Sequence, residues 1–236
     1  MKNKKLKRLA IIPARIGSKR IPKKNIRDFC GRPMISYILN TAKKSKLFDV
    51  IHVSTESNEI KQVVEKLGFQ VPFMRSEHLA GDSTPIVPVL KDVTDKFESM
   101  GQYFDEIWLL MACSPLIEDV DLIKAAKLFE MHGGKNPIIA VSEYPVPIEW
   151  AFTSLPNGRL SPVQPGMFAV RSQDLEKKYF DAGTFCVFPF EKIKFSEGAG
   201  SDKEFVGYVI SKDKAIDIDD EADWKFAEAM FLIKNK

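Results

Sequence analysis

The sequence predicts an α/β domain whose central sheet is largely parallel or mixed, with helices on both faces. Three observations lead there. Short apolar runs of strand length alternate repeatedly with longer amphipathic stretches of helical period, the pattern of strand–helix–strand crossovers. The first run, residues 9–14, is apolar throughout, as a strand covered on both faces must be. With 236 residues and a hydrophobic share of 44%, the chain can build one such core and carry a small insertion.

In chain order, strands are expected at residues 9–14, 50–54, 71–75, 106–111 and 137–141. Helices are expected at 33–45, 58–67, 85–98 and 120–131. Pro33 suits a first helical turn, Asp119 or Asp121 suits a cap, and Gly68 and Gly133 suit helix ends. Regularity breaks after Glu143. Prolines, a Pro156-Asn157-Gly158 turn and the aromatics Trp150, Phe152 and Phe168 mark residues 144–181 as an inserted hairpin with long loops. Sheet pattern returns at 184–188 and 205–210, and a last helix runs over about 221–233.

Composition excludes several classes. A net charge of +3 is too small for a general nucleic-acid coat. Lys2, Lys4, Lys5, Lys7 and Arg8 read as a solvated basic tail, and no apolar stretch after them is long enough for a signal or a membrane span. Cys30, Cys113 and Cys186 show no paired spacing, so reduced thiols, no zinc site and a cytoplasmic location are expected. His52 lies in a strand pattern and reads as a core or edge histidine.

Two constellations carry chemistry. Directly after the first strand, Arg15, Lys19, Arg20, Lys23 and Lys24 crowd into one short loop. Such like charges need a polyanion or full solvation, and Gly17 and Ser18 let a backbone approach a phosphate chain. The loop has neither the G-x-x-x-x-G-K-[ST] nor the G-x-G-x-x-G spacing, which argues against an ATPase and a nicotinamide-dependent oxidoreductase. Near the other end, alternation in Ile216-Asp217-Ile218-Asp219 puts both carboxylates on one face. They hold a hard divalent cation, or Asp219 instead serves, with Asp220 and Glu221, the N-terminus of the last helix.

The segment R-x-G-S-K-R-x-P-x-K-N at 15–25, G-R-P-M-I at 31–35 and I-D-I-D at 216–219 together resemble the CMP-sugar synthetases, which activate nonulosonic acids. Three further segments, at 110–116, 144–150 and 179–185, resemble the pseudaminic acid cytidylyltransferases within that family. The resemblance implies a Rossmann-like nucleotidyltransferase fold in one domain over residues 1–236, Mg²⁺ on Asp217 and Asp219, and catalysis assisted by Arg15 and Lys24. It implies CTP and a nine-carbon acidic sugar as substrates, and nucleotide contacts from Ala14, Arg15, Gly17, Ser18, Lys24, Asn25 and Arg75. Asp82 and Thr84, in a turn similar to the family's, either sit beside the nucleoside or cap the helix that follows. The insertion would serve homodimer contact and sugar binding, with no membrane or nucleic-acid partner. Trp150, Tyr179 and Phe180 are wall candidates or hairpin core. Arg171, Gln173 and Lys178 are carboxylate-binding candidates or solvated surface, and Asp181 is a candidate base.

The chain departs from the sialic acid enzymes at Met111, Cys113 and Glu149, where those resemble it with glutamine, threonine and lysine. Sialic or legionaminic acid activation is therefore the near alternative. A metal-dependent glycosyltransferase and a non-catalytic nucleotide-binding module are the remote ones.

Overall fold

A computed structural model describes residues 6–201 and 203–235. Lys2, Lys4 and Lys5 of the basic tail lie outside the described residues. The main sheet has six strands: β1 (Arg8–Pro13), β2 (Val50–Ser54), β3 (Glu106–Leu110), β4 (Ile138–Glu143), β5 (Tyr179–Pro189) and β6 (Val206–Val209). Their spatial order is β6-β4-β5-β3-β1-β2. β1 pairs in parallel with β2 and β3, β6 pairs in parallel with β4, and β5 runs antiparallel between β3 and β4. The sheet is thus mixed, with one reversed strand.

The helices are α1 (Ile35–Ser45), α2 (Asn58–Lys66), α3 (Ile86–Ser99), α4 (Asp119–Met131), α5 (Phe190–Lys194) and α6 (Glu221–Lys234). Strand alternation sorts them onto two faces. Ala10 and Ile12 of β1, with Trp108 and Leu110 of β3, face a core shared with α1, α2 and α4. Leu9 and Ile11, with Ile107 and Leu109, face a second core shared with α3 and α5. Both registers of β1 are therefore buried, which is why its sequence shows an unbroken apolar run.

Four expectations need correction. Residues 71–75 form no strand; they run as an extended connector bonded through the Arg75 N–H to the Thr55 carbonyl at 2.8 Å. Pro72 has no N–H to give to a ladder, which leaves this stretch unable to extend the sheet edge. Pro33 does not open α1. It pairs with Asp28 in a two-residue antiparallel bridge, and Met34 is the N-cap. The strand expected at 184–188 starts earlier, because Val141, Ser142 and Glu143 pair with Asp181, Phe180 and Tyr179. Finally, Asp119 is the first residue of α4 rather than its cap, while Asp121 accepts from the Glu118 N–H at 3.0 Å and closes that turn.

After β4 the chain leaves the sheet. Phe152–Ser154 and Leu160–Pro162 pair antiparallel about the Pro156-Asn157-Gly158 turn. Trp150 donates its indole N–H to the Val170 carbonyl at 3.1 Å, and Phe168 packs edge-on against Phe152 at 5.7 Å. Phe152, Leu155, Leu160, Val163 and Phe168 are nevertheless exposed. No helix among the described residues is long and apolar enough to cross a membrane.

Candidate active site

Parallel strands deliver their loops to one edge, the carboxyl ends, and ligands of open α/β sheets bind there. β1, β2 and β3 end at Pro13, Ser54 and Leu110, and a cavity of about 300 Å³ opens over those ends. Its lining joins the basic loop (Arg15, Ser18, Lys19, Arg20, Lys24) to Asp217 and Asp219, more than 190 positions later in sequence.

An apolar contact brings these distant segments together. Ile21, inside the cationic run, and Ile218, between the two aspartates, are both about 1% exposed and belong to one cluster with Phe29, Met34 and Trp224. Burying an isoleucine is worth roughly 1.5–3 kcal/mol. The alternation foreseen at 216–219 is thus realised in extended coil rather than in a strand: the isoleucines pack inward and the aspartates line the cavity.

The acidic run divides its labour. Asp220 is the N-cap of α6, accepting from the Ala222 N–H at 2.8 Å and the Asp223 N–H at 3.0 Å. Glu221 pairs with Arg27, whose guanidinium stacks 4.6 Å above the Trp224 ring. Helix capping therefore accounts for Asp220 but not for Asp217 or Asp219. Loss of solvation, reinforced by the charge of Asp219, raises the Asp217 carboxyl above its ordinary range. Two hard oxygen donors in such a state fit a divalent cation that takes its other ligands from water and phosphate, the usual manner of Mg²⁺. Among the described residues no group of three or more His, Cys, Asp or Glu side chains forms a closed metal cage.

The cations of the loop are held by these and neighbouring carboxylates. Arg15 and Lys19 both pair with Asp82, and the two charges hold its carboxyl below the usual range. Arg20 meets Asp219 at 2.7 Å, and Lys24 lies 3.9 Å from the same carboxylate while donating to the Ile218 carbonyl. Arg75 is buried against β2, giving Nε–H to Ser54 Oγ at 3.0 Å and a second N–H to the Ser54 carbonyl at 2.6 Å. Burial pushes its pKa down despite the opposing charge of Glu56.

Of the nucleotide candidates, Arg15, Ser18, Lys24, Asn25, Arg75, Asp82 and Thr84 line the cavity. Ala14 is fully buried beneath it, its N–H on the Ser54 carbonyl at 2.9 Å. A Cβ on Gly17 would meet no atom within 4 Å, so nothing in the protein itself requires glycine there. The capping alternative for Asp82 and Thr84 fails, because Pro85 is the N-cap of α3 and no side chain caps it.

The sugar candidates behave differently: Trp150, Arg171, Gln173, Tyr179, Phe180 and Asp181 are absent from the lining. Arg171 is tied to Asp174 on the surface of the insertion, Gln173 is exposed nearby, and Phe180 packs on Tyr144 at 5.2 Å. Asp181 comes nearest, accepting at 2.9 Å from the N–H of Gly183, which does line the cavity. Sequence reasoning left Lys19, Arg20, Met111, Cys113 and Gly183 unassigned although all border the space. For Lys19 and Arg20 the signal was their place in the cationic run. For Gly183 the signal was its place in the 179–185 segment; a Cβ there would sit 3.7 Å from the Asp217 carboxyl carbon.

The chain matches the family model described as "Cytidylyltransferase" over residues 9–107, which spans the basic loop, Arg75 and Asp82 and stops before the acidic pair. It is 33% identical over 231 residues to the pseudaminic acid cytidylyltransferase of Campylobacter jejuni, covering 98% of this chain and 99% of that protein. It is 31% identical to the CMP-N,N'-diacetyllegionaminic acid synthase of Legionella pneumophila, covering 97% of each. Among solved structures, a CMP:2-keto-3-deoxy-manno-octonic acid synthetase complexed with CTP shares the fold at a TM-score of 0.71 and 16% identity, over 97% of this chain and 99% of that one.

Proposed function

The chain belongs to the cytidylyltransferase family, and we propose that it transfers the cytidylyl group of CTP to a nonulosonic acid, pseudaminic acid, releasing diphosphate. The observation that carries this reading is the single cavity bordered by both the cationic loop and the Asp217–Asp219 pair. An oxygen of the sugar, the C2 hydroxyl, attacks the α-phosphorus in line. A new P–O bond forms as the bond to the β-phosphate oxygen breaks, and the electron pair leaves on diphosphate. Arg15, Lys19 and Lys24 neutralise that departing charge, because positioning and electrostatics supply most of the rate in phosphoryl-type transfer.

Asp217 and Asp219 would hold Mg²⁺, which supplies charge neutralisation on phosphate oxygens when bound. Asp181, which accepts from the N–H of the lining residue Gly183, is the carboxylate candidate to accept the hydroxyl proton, with water as the alternative. Asn25 and Arg75 frame the nucleotide side, and the missing glutamine at Met111 leaves base choice to other contacts.

The insertion carries the sugar and dimer parts of the proposal. Its exposed Phe152, Leu155, Leu160, Val163 and Phe168 form an apolar surface that a second copy would cover. A partner's insertion would also bring wall residues to a cavity that Trp150 of the same chain does not reach. An enclosure of that apolar kind suits a sugar bearing acylamino and methyl groups better than a hydroxylated tail. The test is diphosphate release from CTP and Mg²⁺ with pseudaminic, legionaminic and N-acetylneuraminic acids offered separately. Preference for pseudaminic acid is expected. Preference for another acid would overturn the sugar assignment, and no release with any would overturn the reaction.

A further inference from the structure

The peptide group joining Arg15 to Ile16 is gripped at both ends. Its carbonyl accepts from Asn25 Nδ2 at 2.8 Å, and its N–H donates to Glu56 Oε1 at 2.9 Å. This is the peptide at which the chain leaves β1 and enters the cationic loop, so its plane sets the direction in which the Arg15 side chain departs. Asn25 is fixed in turn: its Oδ1 accepts from the Cys113 thiol at 3.3 Å and its carbonyl from the Ile35 N–H at 2.9 Å. Burial pushes the Cys113 thiol up to about 12, so it stays a protonated donor.

Glu56 follows directly on β2, two positions after Ser54. The end of β2 thus holds two of the cavity's three arginines: Ser54 binds the Arg75 side chain and Glu56 binds the peptide of Arg15. The second carboxylate oxygen of Glu56 is buried without a hydrogen-bond partner. Leaving such an atom unpaired costs on the order of 1–3 kcal/mol. A residue present only to fill space would not need that group.

We propose that Glu56 is a positioning residue which, opposite Asn25, clamps the peptide after Arg15 and so aims the Arg15 guanidinium at the triphosphate. The inference rests on the proposed nucleotide reading but concerns a residue outside the cavity lining. Small displacements of a charge-stabilising group can cost about 10²-fold, so loss of one jaw is expected to cost about tenfold or more in nucleotide binding.

The test is calorimetric titration of the full chain with CTP and with inorganic tripolyphosphate, using Glu56→Gln, Glu56→Asp and Glu56→Ala. Glutamine keeps an acceptor oxygen at the same reach and is expected to bind within about threefold of wild type, whereas aspartate keeps the charge but cannot reach and is expected to lose about tenfold. In an Arg15→Ala background, Glu56→Asp is expected to cost nothing further, because the clamp acts through Arg15. Aspartate binding better than glutamine would overturn the clamp and assign Glu56 a charge role toward Arg75. An equal loss from Glu56→Asp with and without Arg15 would also overturn it, as a merely structural effect. Wild-type chain that binds neither ligand would instead overturn the proposed function. If Glu56→Ala does not fold, the Gln and Asp pair decides.

Discussion

Arg20 and Asp219 stand 199 positions apart in sequence and meet at 2.7 Å across the cavity mouth. With Arg15 and Lys19 on Asp82, this pairing meets the positive charges of the loop with carboxylates of the same chain. The pairs are largely solvent-exposed, so each contributes little to stability and is readily exchanged for a stronger partner.

Asp82→Asn removes an anion that competes for Arg15 and Lys19. Binding of inorganic tripolyphosphate is expected to tighten by about threefold, the scale of an exposed ion pair. Arg15→Ala should weaken the same binding. Titration in metal-free buffer separates the two, and weaker binding by Asp82→Asn would show that Asp82 contributes directly to the nucleotide site.

Asp217→Asn is expected to lower turnover by about 10²-fold or more, the scale of losing one electrostatic contact to a charged transition state. Its melting temperature in metal-free buffer should not fall. The carboxyl of Asp217 is raised by burial and by Asp219, so its ionised form is disfavoured in the folded chain. Stability from this group is therefore lost as pH rises through the carboxylate range, and asparagine removes that loss. Near-normal turnover at saturating Mg²⁺ would reject the metal role.

His52 should make the fold acid-labile. It is buried between Phe73, at 4.4 Å, and Phe97, at 5.5 Å, with neither ring nitrogen hydrogen-bonded. Burial, with Lys96 and Arg75 nearby, pushes its imidazole down to about 3. Below the ordinary histidine value near ~6.5 the unfolded chain takes up a proton that the folded chain refuses, and stability falls by about 1.4 kcal/mol per pH unit. Denaturant titrations at pH 7 and pH 5 should show a loss of roughly 2 kcal/mol from this source. His52→Leu is expected to abolish it; an unchanged pH slope would mean that His52 is not buried neutral.

Much of the site was legible because its chemistry is contiguous. Five cations within 15–24 and two aspartates flanking Ile218 announce charge that must be met by something, and the apolar run before them announces the strand that presents it. Other parts were not legible, for reasons that can be named. The stretch at 71–75 has β-type residues, yet Pro72 denies it a ladder and tertiary contacts use it to carry Arg75 inward. Tyr179, Phe180 and Asp181 look like the end of a loop because two are polar or exposed, but pairing with β4 continues the strand through them. Glu56 and Asn25 grip the same peptide from 31 positions apart, a relation that only the fold creates.

The role of Ile218 follows from the same reasoning. Ile218→Ala is expected to cost about 2–4 kcal/mol in unfolding free energy, the range for truncating a buried isoleucine. Because Ile218 and Ile21 share one cluster, nucleotide binding should weaken as well. Denaturant unfolding combined with CTP titration checks both, and a destabilised variant with unaltered CTP affinity would show that the cluster does not position the loop.

The most direct test of the central claim is phosphorus NMR of a mixture of the chain, CTP, Mg²⁺ and pseudaminic acid, run beside the same mixture with Asp217→Asn. The account predicts that the wild-type chain converts the triphosphate signals into a phosphodiester signal and free diphosphate in equal amounts, while the variant leaves CTP intact. Release of inorganic phosphate and CDP instead, or equal conversion by the variant, would contradict it.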